Sequence, residues 1–225
     1  TLTNKKCEPT ETDHKLVWLT VDGIENKLYS AAQSWAVNFA FSQRQRTDVK
    51  TAWEKLIIPD ITYKKQIKAY RREFIMHGSS LDGCGALKRL KEPEEWIKEN
   101  EKFNNPDTVP EGKVQATQFI YVREEDNKII GMIQVRHTLN DYLKKYGGHI
   151  GYSVCPSERR KGYATKMLAA VLPFCRELGL GKVMVICADW NEGSRKAILK
   201  NGGVYESTAY EPDRKVTLEK YWIEL

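Results

Sequence analysis

The chain has 225 residues, 41% hydrophobic and 29% charged, with a net charge of +6 and a pI near 8.9. That length supports one substantial core, or one domain plus an extension, and argues against two equal domains. No apolar run approaches the roughly 20 residues of a membrane span and no secretory h-region opens the chain, so it reads as a cytoplasmic protein with no membrane partner, while its positive charge fits an acidic ligand, nucleic acid or merely a solvated basic surface.

Residues 1–54 differ in pattern from the rest and form an N-terminal extension of unknown role. Within it, Lys15 to Val21 reads as a short strand, and Ile24 to Phe41 has near-helical apolar spacing at Leu28, Ala32, Trp35, Ala36 and Phe39. Its Arg44 to Arg46 segment is the one local hint of nucleic-acid binding, a reading we rank below packing on the main domain. From Leu56 a short strand ends at Pro59, and Asp60 is a fitting N-cap for a helix through Tyr63, Ile67, Tyr70 and Phe74 to about Met76. Gly78 to Gly85 is a loop, Glu92 to Phe103 a second helix, and Ala116 to Glu124 with Lys128 to His137 a strand pair around a tight turn. After a loop from Thr138 to Gly148, the stretch His149 to Thr165 predicts a strand, a basic glycine turn and a helix start.

The following helix carries an apolar stripe at Ala164, Met167, Leu168, Val171, Leu172 and Cys175, with Pro173 set to kink it or end its regular part. Lys182 to Cys187 is a buried strand, Gly193 to Asn201 a short helix stopped by Gly202 and Gly203, and Val204 to Glu206 and Lys215 to Ile223 are closing strands. The whole predicts an α/β fold, a mixed sheet flanked by helices, over residues 55–225. Five scattered cysteines and four dispersed histidines predict neither a disulfide framework nor a metal site.

The turn at Arg159, Arg160, Lys161 and Gly162 is the natural anion site. A helix N-terminus offers unpaired N–H groups and partial positive charge, and glycine allows close approach of a phosphate. No G-x-x-x-x-G-K-[ST] run exists, and Gly179-Leu180-Gly181 ends a helix rather than opening one.

Arg159-Arg160-Lys161-Gly162-Tyr163-Ala164 resembles the R/Q-x-x-G-x-G/A signature of the GNAT superfamily of acetyl-CoA-dependent N-acetyltransferases. Val154-x-Pro156 precedes it, and Asn191-x-x-Ser194 with Gly202-Gly203 matches the family's second motif. The similarity spans roughly Leu56 to Leu225, is clear from Ile129 to Gly203, and lies nearest a branch of predicted bacterial acetyltransferases with Gly-Gly-His-Ile-Gly-Tyr before the signature. The resemblance implies that Tyr152, Ser153 and Val154 pair through their backbone with the pantetheine arm of acetyl-CoA. It further implies that Arg159, Arg160, Lys161, Gly162, Tyr163, Ala164 and Thr165 hold the pyrophosphate, and that Asn191 and Ser194 line the other side.

The implied reaction is direct attack of an amine, from a small molecule or a peptide, on the thioester. The family's usual acid, a tyrosine seven residues after the asparagine, is Ile198 here, so Ser194, another tyrosine or water must take its place. His149 is the candidate base, although strict alternation puts it on the strand face opposite Tyr152 and Val154. Cys155 as a nucleophile is a less favoured covalent alternative. A catalytically silent acyl-CoA-binding module, motivated by Ile198, is the second functional reading. The acceptor pocket is expected from the first helix, the Thr138 to Gly148 loop and the strand ends, with Arg136, His137 and Tyr142 as candidates that identify no substrate, and a homodimer is left open.

Overall fold

A computed structural model describes residues 54–225. The expected strand, helix and Arg44 to Arg46 segment of the N-terminal extension lie outside the described residues. The described residues form a seven-stranded sheet of order β1-β2-β3-β4-β5-β7-β6, in which β4 and β5 run parallel and every other neighbouring pair is antiparallel. The strands are β1 (Glu54–Ile57), β2 (Ala116–Arg123), β3 (Lys128–Arg136), β4 (Ile150–Val154), β5 (Lys182–Ala188), β6 (Val204–Glu211) and β7 (Val216–Glu224). The helices are α1 (Lys64–Met76), α2 (Pro93–Asn104), α3 (Tyr163–Glu177) and α4 (Glu192–Lys200). None of these helices is long and apolar enough to cross a membrane.

The two faces of the sheet carry separate cores. On one, Met167, Leu168, Val171, Phe174 and Cys175 of α3 and Ile198 of α4 pack on Phe119, Ile133, Val135, Ile150 and Val185. On the other, Ile67, Tyr70 and Phe74 of α1 with Trp96 and Ile97 of α2 cover Ile120, Val122, Ile129 and Met132. Buried on both faces, β2 and β3 therefore have near-continuous apolar sequences.

Local chemistry sets the ends of these elements. Asp60 does cap, but through Thr62 N–H and a 3-10 turn (Ile61–Tyr63) that precedes α1. α2 starts with Pro93 in its first turn and Glu94 and Glu95 beside it, groups suited to a helix N-terminus. Pro173 lies inside α3 without ending it, since the helix runs on to Glu177 and stops before Gly179, whose φ is +77°. The expected loop from Thr138 to Gly148 contains a π-helical turn at Leu143–Gly147. β6 continues to Glu211, well past the expected Glu206, because it pairs with β7 across a bulge near Tyr205.

Candidate active site

The β4–β5 pair is where the sheet opens. Arg136 N–H donates to His149 O at 2.8 Å and Cys155 N–H to Ile130 O at 2.8 Å, which fixes the alternation along β4. Gly151 and Ser153 therefore turn their backbone groups toward β3, and Ile150, Tyr152 and Val154 turn theirs toward β5. Only Ile150 finds a parallel partner there, Val185. Beyond it the strands diverge, leaving the N–H and C=O of Tyr152 and the N–H of Val154 facing the gap without a strand partner. Arg159 fills part of the open end, where its Nε donates to Val154 O at 3.2 Å and its guanidinium sits 5.5 Å over the Phe74 ring.

The turn after β4 meets the gap. Arg160 and Gly162 both have positive φ, +67° and +83°, and Gly162 is the N-cap of α3. No side chain caps α3, and its first helical bond is Lys166 N–H to Gly162 O, so the N–H groups of Tyr163, Ala164 and Thr165 are open to an acceptor. A Cβ built at Gly162 meets nothing within 4 Å, so the space before the helix end is clear. This is a cradle for an anion, and the unpaired β4 edge beside it suits an amide-bearing chain.

The basic side chains of the turn divide the work. Glu158, 4% exposed, accepts from Lys161 at 2.9 Å, Lys128 at 2.7 Å and Arg123 at 3.1 Å. Burial works to raise its pKa, but the hydrogen bonds from Lys128, Lys161 and Arg123 outweigh it and bring the carboxyl down to about 2. Lys161 is thus held by Glu158, Arg159 braces the end of β4, and Arg160 is the turn's charged side chain oriented by neither contact. The Tyr163 hydroxyl accepts from Arg123 Nη1 at 3.1 Å, so this residue faces the cradle through its N–H alone. Sequence reasoning missed Glu158, although its three-residue spacing to Lys161 was a visible signal.

The second motif packs against the gap from β5. Asn191 accepts Ser194 N–H at 3.1 Å and caps α4. Ser194 Oγ lies 2.8 Å from the Tyr152 hydroxyl. Burial pushes the Tyr152 phenol up, against a smaller opposing effect of Ser194, so it stays protonated at neutral pH. Ile198 is fully buried in the core and has no route to the gap.

Three sequence expectations meet different surroundings. Ser153 turns its backbone to β3, while its hydroxyl lies 3.1 Å from both the Tyr70 hydroxyl and the Cys84 thiol, under α1. His149 stands at the closed end of the gap, where its Nδ1 accepts Met184 N–H at 2.9 Å and its own N–H donates to Met184 O at 2.8 Å. Burial, helped by Arg136, lowers its pKa to about 4. The ring is a latch between β4 and β5 with one nitrogen committed, which argues against the role of base. Cys155 donates to Glu73 Oε2 at 2.9 Å, and burial followed by Glu73 pushes its thiol to about 12, far from a thiolate nucleophile.

A family model described as an acetyltransferase (GNAT) domain matches residues 71–204. The chain belongs to the GNAT acetyltransferase family. Its cofactor is acetyl-CoA, and the open β4 edge and uncapped α3 fit the amide arm and the pyrophosphate of that molecule. Solved structures agree in fold. RimL, a ribosomal L7/L12 α-N-protein acetyltransferase in complex with coenzyme A, is 14% identical with a TM-score of 0.59, over 78% of this chain and 96% of that one. The microcin C7 self-immunity acetyltransferase MccE, in complex with acetyl-CoA and AMP, is 14% identical with a TM-score of 0.58, over 78% and 94%. A ribosomal-protein-S5-alanine acetyltransferase from Vibrio fischeri is 19% identical with a TM-score of 0.56, over 79% and 97%. No curated protein matches this GNAT chain.

Proposed function

We propose that this GNAT protein moves an acetyl group from acetyl-CoA to an amine of a small molecule or peptide by direct attack. The observation that carries the reading is the parting of β4 from β5 after Ile150, with the free backbone of Tyr152 and Val154 leading to the uncapped start of α3. The pantetheine amides extend the sheet along β4, and the pyrophosphate rests on the N–H groups of Tyr163, Ala164 and Thr165, with Arg160 adding charge. Val154 N–H is placed to hydrogen-bond the oxyanion that develops on the thioester carbonyl. The structural neighbours that are ribosomal-protein acetyltransferases support an amine acceptor carried on a peptide.

Departure of the thiolate needs a proton, and the Tyr152–Ser194 pair supplies it. Both groups lie beside the gap, and the neutral phenol can donate through the serine hydroxyl. This replaces the acid lost at position 198. The silent-module reading draws on that same loss, and the hydroxyl pair is the observation against it. A thiol-release screen of the full chain with acetyl-CoA over small amines and peptides divides the two. Release that depends on an amine supports the transferase, whereas tight acetyl-CoA binding with no release above hydrolysis supports the module.

A further inference from the structure

The positive charge of the chain is gathered in one stretch. From Lys64 to Lys91, eight lysines and arginines stand against two acids, Glu73 and Asp82, so the stretch carries a net +6, equal to that of the whole chain. Ile67, Tyr70 and Phe74 are the buried side of α1, which turns Lys64, Lys65, Lys68, Arg71 and Arg72 to the other side. The one acid of the helix, Glu73, is directed away from them and accepts from the Cys155 thiol at 2.9 Å and from Ser157 N–H at 2.7 Å. Arg71 donates to the carbonyls of Leu87 and Lys88 at 3.0 and 3.2 Å, which brings the exposed Lys88 and Arg89 beside the helix.

Little of this charge is neutralised. Lys64 and Lys68 meet Glu94 and Glu92 at 3.6 and 3.3 Å, and Arg89 meets Glu99 at 3.4 Å, surface pairs of a kind that contribute little and exchange readily. Lys65, Arg72, Lys88 and Lys91 form no ion pair among the described residues. The same face of α1 ends in Ile75 and Met76, 54% and 72% exposed. Lys65 and Arg72 are two turns apart, about 10 Å along the axis, and Met76 follows one turn on. No side chain on this face of α1 is aromatic, so a nucleic acid would find phosphate partners but no stacking surface, and would leave both apolar side chains in water.

We propose that the outer face of α1 docks an acidic amphipathic helix of a partner protein. Carboxylates of that helix pair with Lys65 and Arg72, and an apolar residue one turn beyond covers Ile75 and Met76. The inference rests on the peptide-acceptor reading in so far as the docked protein is the one acetylated. The inner side of α1 packs on Ile120, Val122, Ile129 and Met132 of β2 and β3, so docking on its outer side leaves the β4 edge and the start of α3 free. Opposite charge speeds the encounter, and the apolar end of the face fixes the register of the docked helix.

The test is an anisotropy titration of the full chain against a fluorescein-labelled peptide of three Glu-Leu-Ala-Glu-Ala-Leu-Glu repeats. Saturable binding is expected, weakened at least about tenfold by Lys65→Glu with Arg72→Glu and severalfold by Ile75→Ser with Met76→Ser, all at exposed positions. Lys113→Glu with Lys200→Glu changes the net charge equally at exposed positions elsewhere and should weaken binding less than twofold. No binding by the unmodified chain, equal weakening by the two charge reversals, or unchanged affinity in the α1 variants would overturn the proposal. Tighter binding of a single-stranded DNA of equal charge, or self-association of the chain that the α1 variants abolish, would overturn it in favour of another occupant. If the double reversal fails to fold, Arg72→Gln carries the test, and full affinity there counts against docking. The thiol-release screen keeps the two readings apart. Peptide binding without amine-dependent release defeats the transferase and leaves the docking face standing, whereas amine-dependent release with peptide affinity unaltered in the α1 variants defeats the docking face alone.

Discussion

At the residue scale, the site depends on hydrogen bonds whose partners come from distant parts of the chain. Tyr152 and Ser194 are 42 positions apart, yet their hydroxyls are 2.8 Å from one another. Tyr152→Phe removes the donor while leaving the ring in the core, so kcat should fall by about 10²-fold with acetyl-CoA binding preserved. Ser194→Ala should cost a similar factor, and the double variant little more, because the two act as a unit. Steady-state kinetics of the three variants decide this, and independent, multiplying losses would break the pair. Charge at this scale also predicts the response to acid. His149 and His137, both lowered to about 4 by burial, take up protons in the unfolded chain first, so stability is present above about pH 6.5 and falls toward pH 4. Glu158, depressed from 4.5 to about 2, adds a second loss between about pH 5 and pH 2, on the order of 2 kcal/mol. Glu158→Gln should remove the lower phase in denaturant melts across pH, and an unchanged lower phase would show that the three cations do not stabilise the turn through it.

At the element scale, local pattern and tertiary contact contribute differently. The stripe of α3 and the apolar run of β3 announced their burial directly, because a 3.6-residue period and a continuous hydrophobic strand each have one packed solution. The gap between β4 and β5 had no such signal of its own. It arises because the partner of Ile150 is the last that β5 offers, a fact of pairing between elements 35 residues apart, and the resemblance of the turn supplied it instead. The α1–α2 loop was legible only as a loop, and its tie to β4 was not. It is held by Trp96 Nε1 donating to Cys84 O at 2.8 Å and Gln118 Nε2 donating to Gly83 O at 2.9 Å. Gly83 has φ of +68° and no room for a side chain. Gly83→Ala should therefore destabilise the protein by about 3 kcal/mol, combining backbone strain with overpacking. A thermal melt measures it, and a loss under 1 kcal/mol would mean that the loop lifts away from β4 at little cost.

For the whole molecule, the sheet works as a partition. One face, with α3 and α4, carries the groups suited to coenzyme A, and the other, with α1 and α2, carries a second core and the loop pressed onto β4. The fold class and the cofactor turn were readable because both depend on short, contiguous stretches, from His149 to Thr165 above all. Of the acceptor side only candidates were readable, Arg136, His137 and Tyr142, because what fixes them is distant in the chain: the Tyr142 hydroxyl donates to Glu211, 69 positions on. The same reason explains why His149 stood out in the sequence and Glu158 did not: the first is titratable near neutrality wherever it lies, while the second matters only through its cations. The central claim is that the uncapped start of α3 and the free edge of β4 form one acetyl-CoA site. Calorimetric titration of the full chain with acetyl-CoA, set beside Gly162→Asp, tests it most directly. A Cβ at 162 meets no protein atom within 4 Å, so the variant adds no clash and costs about 1 kcal/mol for an L residue at φ of +83°, while its carboxylate repels phosphate at the helix start. The expected result is saturable one-to-one binding with a Kd in the range of about 1 to 100 μM, weakened at least about 100-fold in Gly162→Asp with the melting temperature within a few degrees. Full affinity in Gly162→Asp, or no binding by the unmodified chain at millimolar acetyl-CoA, would contradict it.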